Sequence, residues 1–123
     1  MARNALIVDD SGVMRKIVMR NLRNTNIHFD HIFEAGDGLE GLKVLESNEV
    51  AVIFSDVNMP NMSGLEMVKK IGEQFGKGKI KIVMVTTDGA EETINEAMSY
   101  GAAGYIKKPF TPEQMVAYLQ DLL

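Results

Sequence analysis

The chain has no cysteine in its 123 residues, which excludes disulfide bridges and thiolate metal sites. A chain of this length is near the usual size of one domain and can bury a core without covalent staples. The absence of cysteine accords with a reducing compartment, so a cytoplasmic setting is expected. No apolar run approaches the roughly 18 residues a membrane-spanning helix needs, and no membrane association is expected. The opening "MARNALIVDD" lacks the pattern of a signal peptide, because its short apolar run ends in acids. There is no basic excess either. Thirteen Lys and Arg face 17 Asp and Glu, for a net charge of −4, so a nucleic-acid partner is not expected. The one basic cluster, Arg15, Lys16, Arg20 and Arg23, has the spacing of a solvated helix face; contact with an acidic partner is the alternative. No linker, low-complexity tract or composition shift divides the chain, and a single monomeric domain over 1–123 is expected.

Short apolar, β-branched runs punctuate the sequence: "ALIV" at 5–8, "VAVIFS" at 50–55, "IKIVMVT" at 80–86, "AGYI" at 103–106 and a weaker "HIFEA" at 31–35. Runs that are apolar throughout suggest burial on both faces, hence a parallel sheet under helices. Between them lie segments with helical spacing. The apolar positions are Val13, Ile17 and Leu22; Leu39, Leu42, Val44 and Leu45; Leu65, Val68, Ile71 and Phe75; Ile94, Ala97 and Met98; and Met115, Val116, Leu119 and Leu122. Helix starts are signalled by a short polar cap with Glu or Gln three residues on, at Asp37–Glu40, Ser63–Glu66, Asp88–Glu91 and Thr111–Gln114. Pro112 falls at a first helical position, where its missing N–H is harmless. Strict alternation of five β/α units predicts a doubly wound α/β fold.

In such a sheet, ligands bind beyond the carboxyl ends of the strands, so the residues just past each strand carry the functional signal. Asp9 and Asp10 come after the first, Asp56 after the third, Thr86 and Thr87 end the fourth, and Lys107 and Lys108 come after the fifth. Three carboxylates in one pocket cannot all stay ionised unaided, and a hard divalent cation such as Mg²⁺ resolves the conflict. A metal, an ammonium and a hydroxyl are what a transferring phosphoryl group needs around its oxygens, and one carboxylate can then serve as nucleophile.

The motifs "LIVDDS", "SDVNMPNMSGLE", "MVTT" and "GYIKKPFTPEQ", spread over nearly the whole chain, resemble the receiver domains of two-component response regulators. The likeness is strongest to the stand-alone chemotaxis regulators that signal to the flagellar motor. The resemblance implies a flavodoxin-like three-layer (βα)5 sandwich with strand order 2-1-3-4-5. It implies that Asp56 is the phosphoacceptor, and that Asp9, Asp10, Asp56 and the backbone carbonyl of Asn58 bind Mg²⁺. Thr86 and Lys108 would then hold the phosphoryl group. Thr86 and Tyr105 would form the switch, Asn58 and Asp88 would tune the lifetime of the phosphoform, and the Lys108–Pro109 bond would be cis. The implied partners are a histidine kinase of the chemotaxis type as phosphodonor, and a flagellar motor switch protein or another phosphorylation-dependent target. A phosphatase is a further implied partner.

Some positions depart from the family pattern. Ser63 stands where an Asp is usual, and Val57 where close relatives often carry a large aromatic. Ala90, Glu91 and Tyr118 replace bases common in motor-binding relatives, whereas Lys107 adds one. A phosphorelay intermediate or a phosphate sink is therefore the alternative, as is a binding module that has lost phosphotransfer. A haloacid-dehalogenase-type phosphatase uses similar residues but places its nucleophile after the first strand, the reverse of the order here. Gly36-Asp37-Gly38-Leu39-Glu40-Gly41 fits a dinucleotide-binding pattern, yet its two acids suit a capped turn better than a pyrophosphate. His28 and His31 lack spaced partners and are expected at the surface. The nine methionines are expected mostly as gap-filling core, with Met14 near enough to the acid pair to touch a partner.

Overall fold

The computed structural model describes residues 3–87, 91–108 and 110–122, with residues 121 and 122 described by backbone alone. Its elements alternate: β1 (Asn4–Val8), α1 (Gly12–Arg23), β2 (His31–Ala35), α2 (Gly38–Ser47), β3 (Val52–Ser55), α3 (Gly64–Phe75), β4 (Lys81–Thr86), α4 (Glu91–Ser99), β5 (Gly104–Lys107) and α5 (Pro112–Leu122). The strands form one sheet in the order β2-β1-β3-β4-β5, and every neighbouring pair is parallel. Among the described residues no helix is long and apolar enough to cross a membrane.

Side chains alternate across each strand, so each apolar run feeds two cores. Leu6, Val8, Ile53 and Met84 face one layer, packed with Leu45 of α2, Met67, Val68 and Ile71 of α3, and Ala97 of α4. Ala5, Ile7, Phe54, Val83 and Val85 face the other, against Val18 and Leu22 of α1 and Met115 and Leu119 of α5. That is why β1 and β3 are apolar apart from Asn4 and Ser55 at their ends: every residue of both strands is buried. Truncating a fully buried side chain such as Leu6 to Ala costs about 2–5 kcal/mol. The weaker β2 run belongs to an edge strand, partly exposed along most of its length.

The caps form as the sequence predicts. Asp37 Oδ1 accepts the Glu40 amide at 2.9 Å and Ser63 Oγ accepts the Glu66 amide at 3.2 Å. Thr111 and Gln114 exchange side-chain and backbone bonds of 3.2 and 2.8 Å. The expected cap at Asp88 lies outside the described residues, as do Ala90 and Pro109.

Four expected core positions turn outward. Val13 and Ile17 are 74% and 41% exposed, and Leu39 is 46% exposed. In α1 the stripe that meets the sheet is Met14, Val18, Asn21 and Leu22, at the i, i+4, i+7 and i+8 positions; Val13 and Ile17 sit one residue behind it and face solvent. Met98 of α4 is likewise 44% exposed, whereas Met62, Met67, Met84 and Met115 are buried.

Candidate functional site

Strand order decides which polar residues meet. Because β1, β3, β4 and β5 are consecutive and parallel, the residues after them lie along one rim. Here β1 is also where the chain reverses its direction of travel across the sheet, the place where parallel α/β sheets open a crevice.

One carboxylate oxygen each from Asp9, Asp10 and Asp56 lies within 4.8 Å of the others. Asp9 is buried, Asp56 partly buried and Asp10 exposed. The Lys108 side chain, only 10% exposed, reaches across from β5 and places its Nζ 3.0 Å from Asp9 Oδ2 and 3.6 Å from Asp56 Oδ2. Burial pushes the Asp56 carboxyl above the ordinary carboxylate range. The Lys108 ammonium and the Val57 amide pull the other way, and the neighbouring Asp9 charge adds to the rise. Asp9 is held firmly: its Oδ1 accepts the Ser11 amide at 2.9 Å, and its own amide donates to the Ala35 carbonyl at 3.1 Å.

The backbone around Asp56 is equally constrained. Its amide donates to the Val8 carbonyl at 2.9 Å, and its Oδ1 accepts the Val57 amide at 2.7 Å. The β3–α3 loop then folds back, with the Gly64 amide donating to the Val57 carbonyl at 2.8 Å. A Cβ at Gly64 would collide with the Asp56 carbonyl oxygen, so this close approach requires glycine. Asn61 takes the left-handed conformation, φ 64°, and its Nδ2 donates to Asp37 Oδ2 at 2.7 Å.

The other predicted residues divide. Thr86 is buried at the end of β4, where its carbonyl accepts the Lys108 amide at 2.8 Å. Asn58 is exposed on the loop two residues past Asp56. Tyr105 stands apart from the acids on β5, 38% exposed, with its amide donating to the Tyr118 hydroxyl at 2.9 Å. Asp88 lies outside the described residues. The Gly36–Gly41 segment is a tight capped turn: the Glu40 carboxylate folds back onto the Gly36 amide at 3.2 Å, and a Cβ at Gly38 or Gly41 would crowd Met62 or Met67. His28 is exposed, with Nε2 3.6 Å from Asp30 Oδ1.

Two features lie outside the sequence expectations. Ser11 caps α1, with Oγ accepting the Met14 amide at 3.2 Å, while its own amide binds Asp9. Arg15, grouped by spacing with a solvated face, instead points inward to the Asp9 carbonyl and Glu34. The serine was legible as a small polar residue directly before a helical segment. No signal in the sequence marks the arginine's turn inward.

The three carboxylates form an all-oxygen donor set that suits a hard divalent cation, Mg²⁺ above all, and the Lys108 ammonium beside them suits the negative oxygens of a phosphoryl group.

The comparisons with known proteins agree with this geometry. The family model described as "Response regulator receiver domain" matches residues 5–120. A chemotaxis protein CheY homolog of Campylobacter jejuni is 41% identical over 119 residues, covering 96% of this chain and 90% of the relative. Chemotaxis protein CheY1 of Helicobacter pylori is 36% identical, covering 96% and 94%. The structure of chemotaxis response regulator CheY4 of Vibrio cholerae superposes with a TM-score of 0.86 at 36% identity over the full length of both chains. The chain belongs to the response regulator receiver domain family, whose members are signalling proteins rather than conventional enzymes and bind Mg²⁺ at an acidic pocket.

Proposed function

We propose that this receiver takes a phosphoryl group from a phosphohistidine on a sensor kinase onto Asp56, and later loses it to water. The observation that carries this reading is the state of the Asp56 carboxyl. It is partly buried, raised by desolvation, and faced by the Lys108 ammonium and two further acids at the carboxyl rim of the sheet.

In the first step a carboxylate oxygen of Asp56 forms a bond to phosphorus as the phosphorus–nitrogen bond breaks, and the imidazole leaves with the electron pair and takes up a proton. In the second, a water oxygen bonds to phosphorus, the acyl phosphate bond breaks, and inorganic phosphate leaves with the Asp56 carboxylate restored. Lys108 neutralises charge on the phosphoryl oxygens in both steps, and the Thr86 hydroxyl donates to one of them. Asp9, Asp10, Asp56 and the Asn58 carbonyl would hold Mg²⁺, which supplies charge neutralisation for the phosphoryl group when bound. Before that, the chain's own Lys108 shares the charge of Asp9 and Asp56.

Phosphorylation adds about −1.5 to −2 charges at the rim. Thr86 is drawn toward them and vacates space for Tyr105, whose ring turns in from its half-exposed position. The face formed by α4, β5 and α5 then presents a different surface to a target. The sequence likeness to chemotaxis proteins of Campylobacter, Helicobacter and Vibrio supports a chemotaxis kinase as donor and a flagellar motor switch as target. Exposed Glu91 and the aromatic Tyr118 on that face favour, as the second reading, a different target or a phosphorelay or sink role.

The test is intact-mass measurement after treatment with an acyl-phosphate donor and Mg²⁺, with pull-downs of kinase and motor switch run in parallel with beryllofluoride. Wild type gains one phosphoryl group and Asp56→Asn gains none. Phosphate on the variant, or steady turnover of a simple phosphate ester in excess of protein, overturns the reading. Retention of motor switch protein only in the activated state separates the motor from the relay or sink.

A further inference from the structure

We propose that Arg15 is a positioning residue for the acid cluster, acting through the peptide that joins Asp9 to Asp10. This rests on the reading that the cluster binds Mg²⁺. Arg15 sits on the first turn of α1, and its Nη1 donates to the Asp9 carbonyl oxygen at 2.6 Å. That carbonyl belongs to the Asp9–Asp10 peptide. Asp9 is already fixed by the Ala35 carbonyl and the Ser11 amide, so the guanidinium fixes the remaining freedom of that peptide plane and hence the direction in which Asp10 leaves it.

The guanidinium is itself braced. Its Nε donates to Glu34 Oε1 at 3.1 Å, and Glu34 Oε2 accepts Lys16 Nζ at 2.8 Å. Glu34 lies on β2 opposite Ile7, one register step from Val8 and Ala35 at the point where β1 ends. Lys16 first, and Arg15 after it, hold the Glu34 carboxyl below its ordinary range, so the brace is an anion at neutral pH. Arg15 and Glu34 are about a quarter exposed, whereas Lys16 is 64% exposed; the arginine is the member of the basic cluster turned inward.

Two properties result. The planar fork of arginine reaches the carboxylate and the carbonyl from two nitrogens held at a fixed angle, a geometry that the single ammonium of a lysine does not reproduce. Glu34 also offsets the charge of the guanidinium, which would otherwise weaken the attraction of the acids for a cation.

The test separates position from charge. Arg15→Lys keeps the charge and loses the fork; Glu34→Gln keeps the fork and removes the charge of its brace. Isothermal titration of Mg²⁺ into the full chain reads affinity, melting temperature reads stability, and acyl-phosphate kinetics against Mg²⁺ concentration read the split between half-saturation and maximal rate. Each variant is expected to bind Mg²⁺ about 10-fold more weakly, as partners behind metal ligands usually do, with the maximal rate at saturating Mg²⁺ unchanged. The double variant is expected to be no weaker than the weaker single, because both act through one chain of contacts. Wild-type affinity in Arg15→Lys overturns the proposal, even if its melting temperature falls. Should that variant not fold, wild-type affinity in Glu34→Gln overturns it alone. A wild-type chain that binds no Mg²⁺ overturns this proposal together with the metal reading. Mg²⁺ binding without phosphate on Asp56 overturns only the transfer, and the affinities still decide the role of Arg15.

Discussion

Two corners of one rim, the end of β2 and the end of β3, each carry an aspartate, and the fold treats the two carboxyls in opposite ways. Asp37 is buried, yet the Asn61 side-chain amide and the Glu40 backbone amide both donate to it, and its carboxyl is held below the usual range. Asp56 accepts one backbone amide and faces an ammonium at 3.6 Å; burial wins, and its carboxyl rises. The first corner uses its charge to tie α2 to the β3–α3 loop. The second keeps a carboxylate under-solvated beside two others, a state that opposes folding and favours reaction.

The largest expected effect sharpens this contrast directly. Asp56→Asn should abolish phosphoryl incorporation by intact mass, whereas Asp37→Asn should leave it measurable. Next, Lys108→Met should slow phosphorylation by about 100-fold, the usual loss when one preorganised positive donor is removed, while calorimetry still detects Mg²⁺ binding. Stability should then split by sign. A raised folded value means Asp56 opposes folding as pH climbs above its unfolded value; Asp56→Asn should therefore stabilise the chain in denaturant titrations at pH 7. A lowered folded value means Asp37 stabilises above its unfolded value and loses that contribution as pH falls toward its folded one. Asp37→Asn should therefore melt lower at pH 7, with the difference from wild type vanishing in acid. Equal signs for the two variants would erase the distinction between the corners. The smallest effect on chemistry belongs to Tyr105→Ala, which should spare phosphorylation and weaken phosphorylation-dependent target binding; unchanged binding in a pull-down would remove Tyr105 from the switch.

Much of this was legible in the sequence because it is local. Apolar runs mark strands, capping pairs such as Ser63–Glu66 mark helix starts, and acids placed just past strands mark the rim. What was not legible depends on angles and reach. Val13 and Ile17 lie one turn apart, but nine residues at about 3.6 per turn put Leu22 about half a turn from Val13, and α1 buries the face of Met14, Val18 and Leu22. Asn61 hides its left-handed backbone inside a motif that reads as a plain loop. Arg15 meets Glu34 across 19 positions, and no spacing rule on α1 separates it from its exposed neighbour Lys16.

The contact between Lys108 and Asp9 joins residues 99 positions apart. During synthesis the three acids emerge well before the ammonium that offsets them, and the fifth strand must dock at the sheet's margin to deliver it. Half-made chains therefore hold the three acids without the lysine that pairs with two of them in the folded chain, and that pairing forms only in the closing steps of assembly.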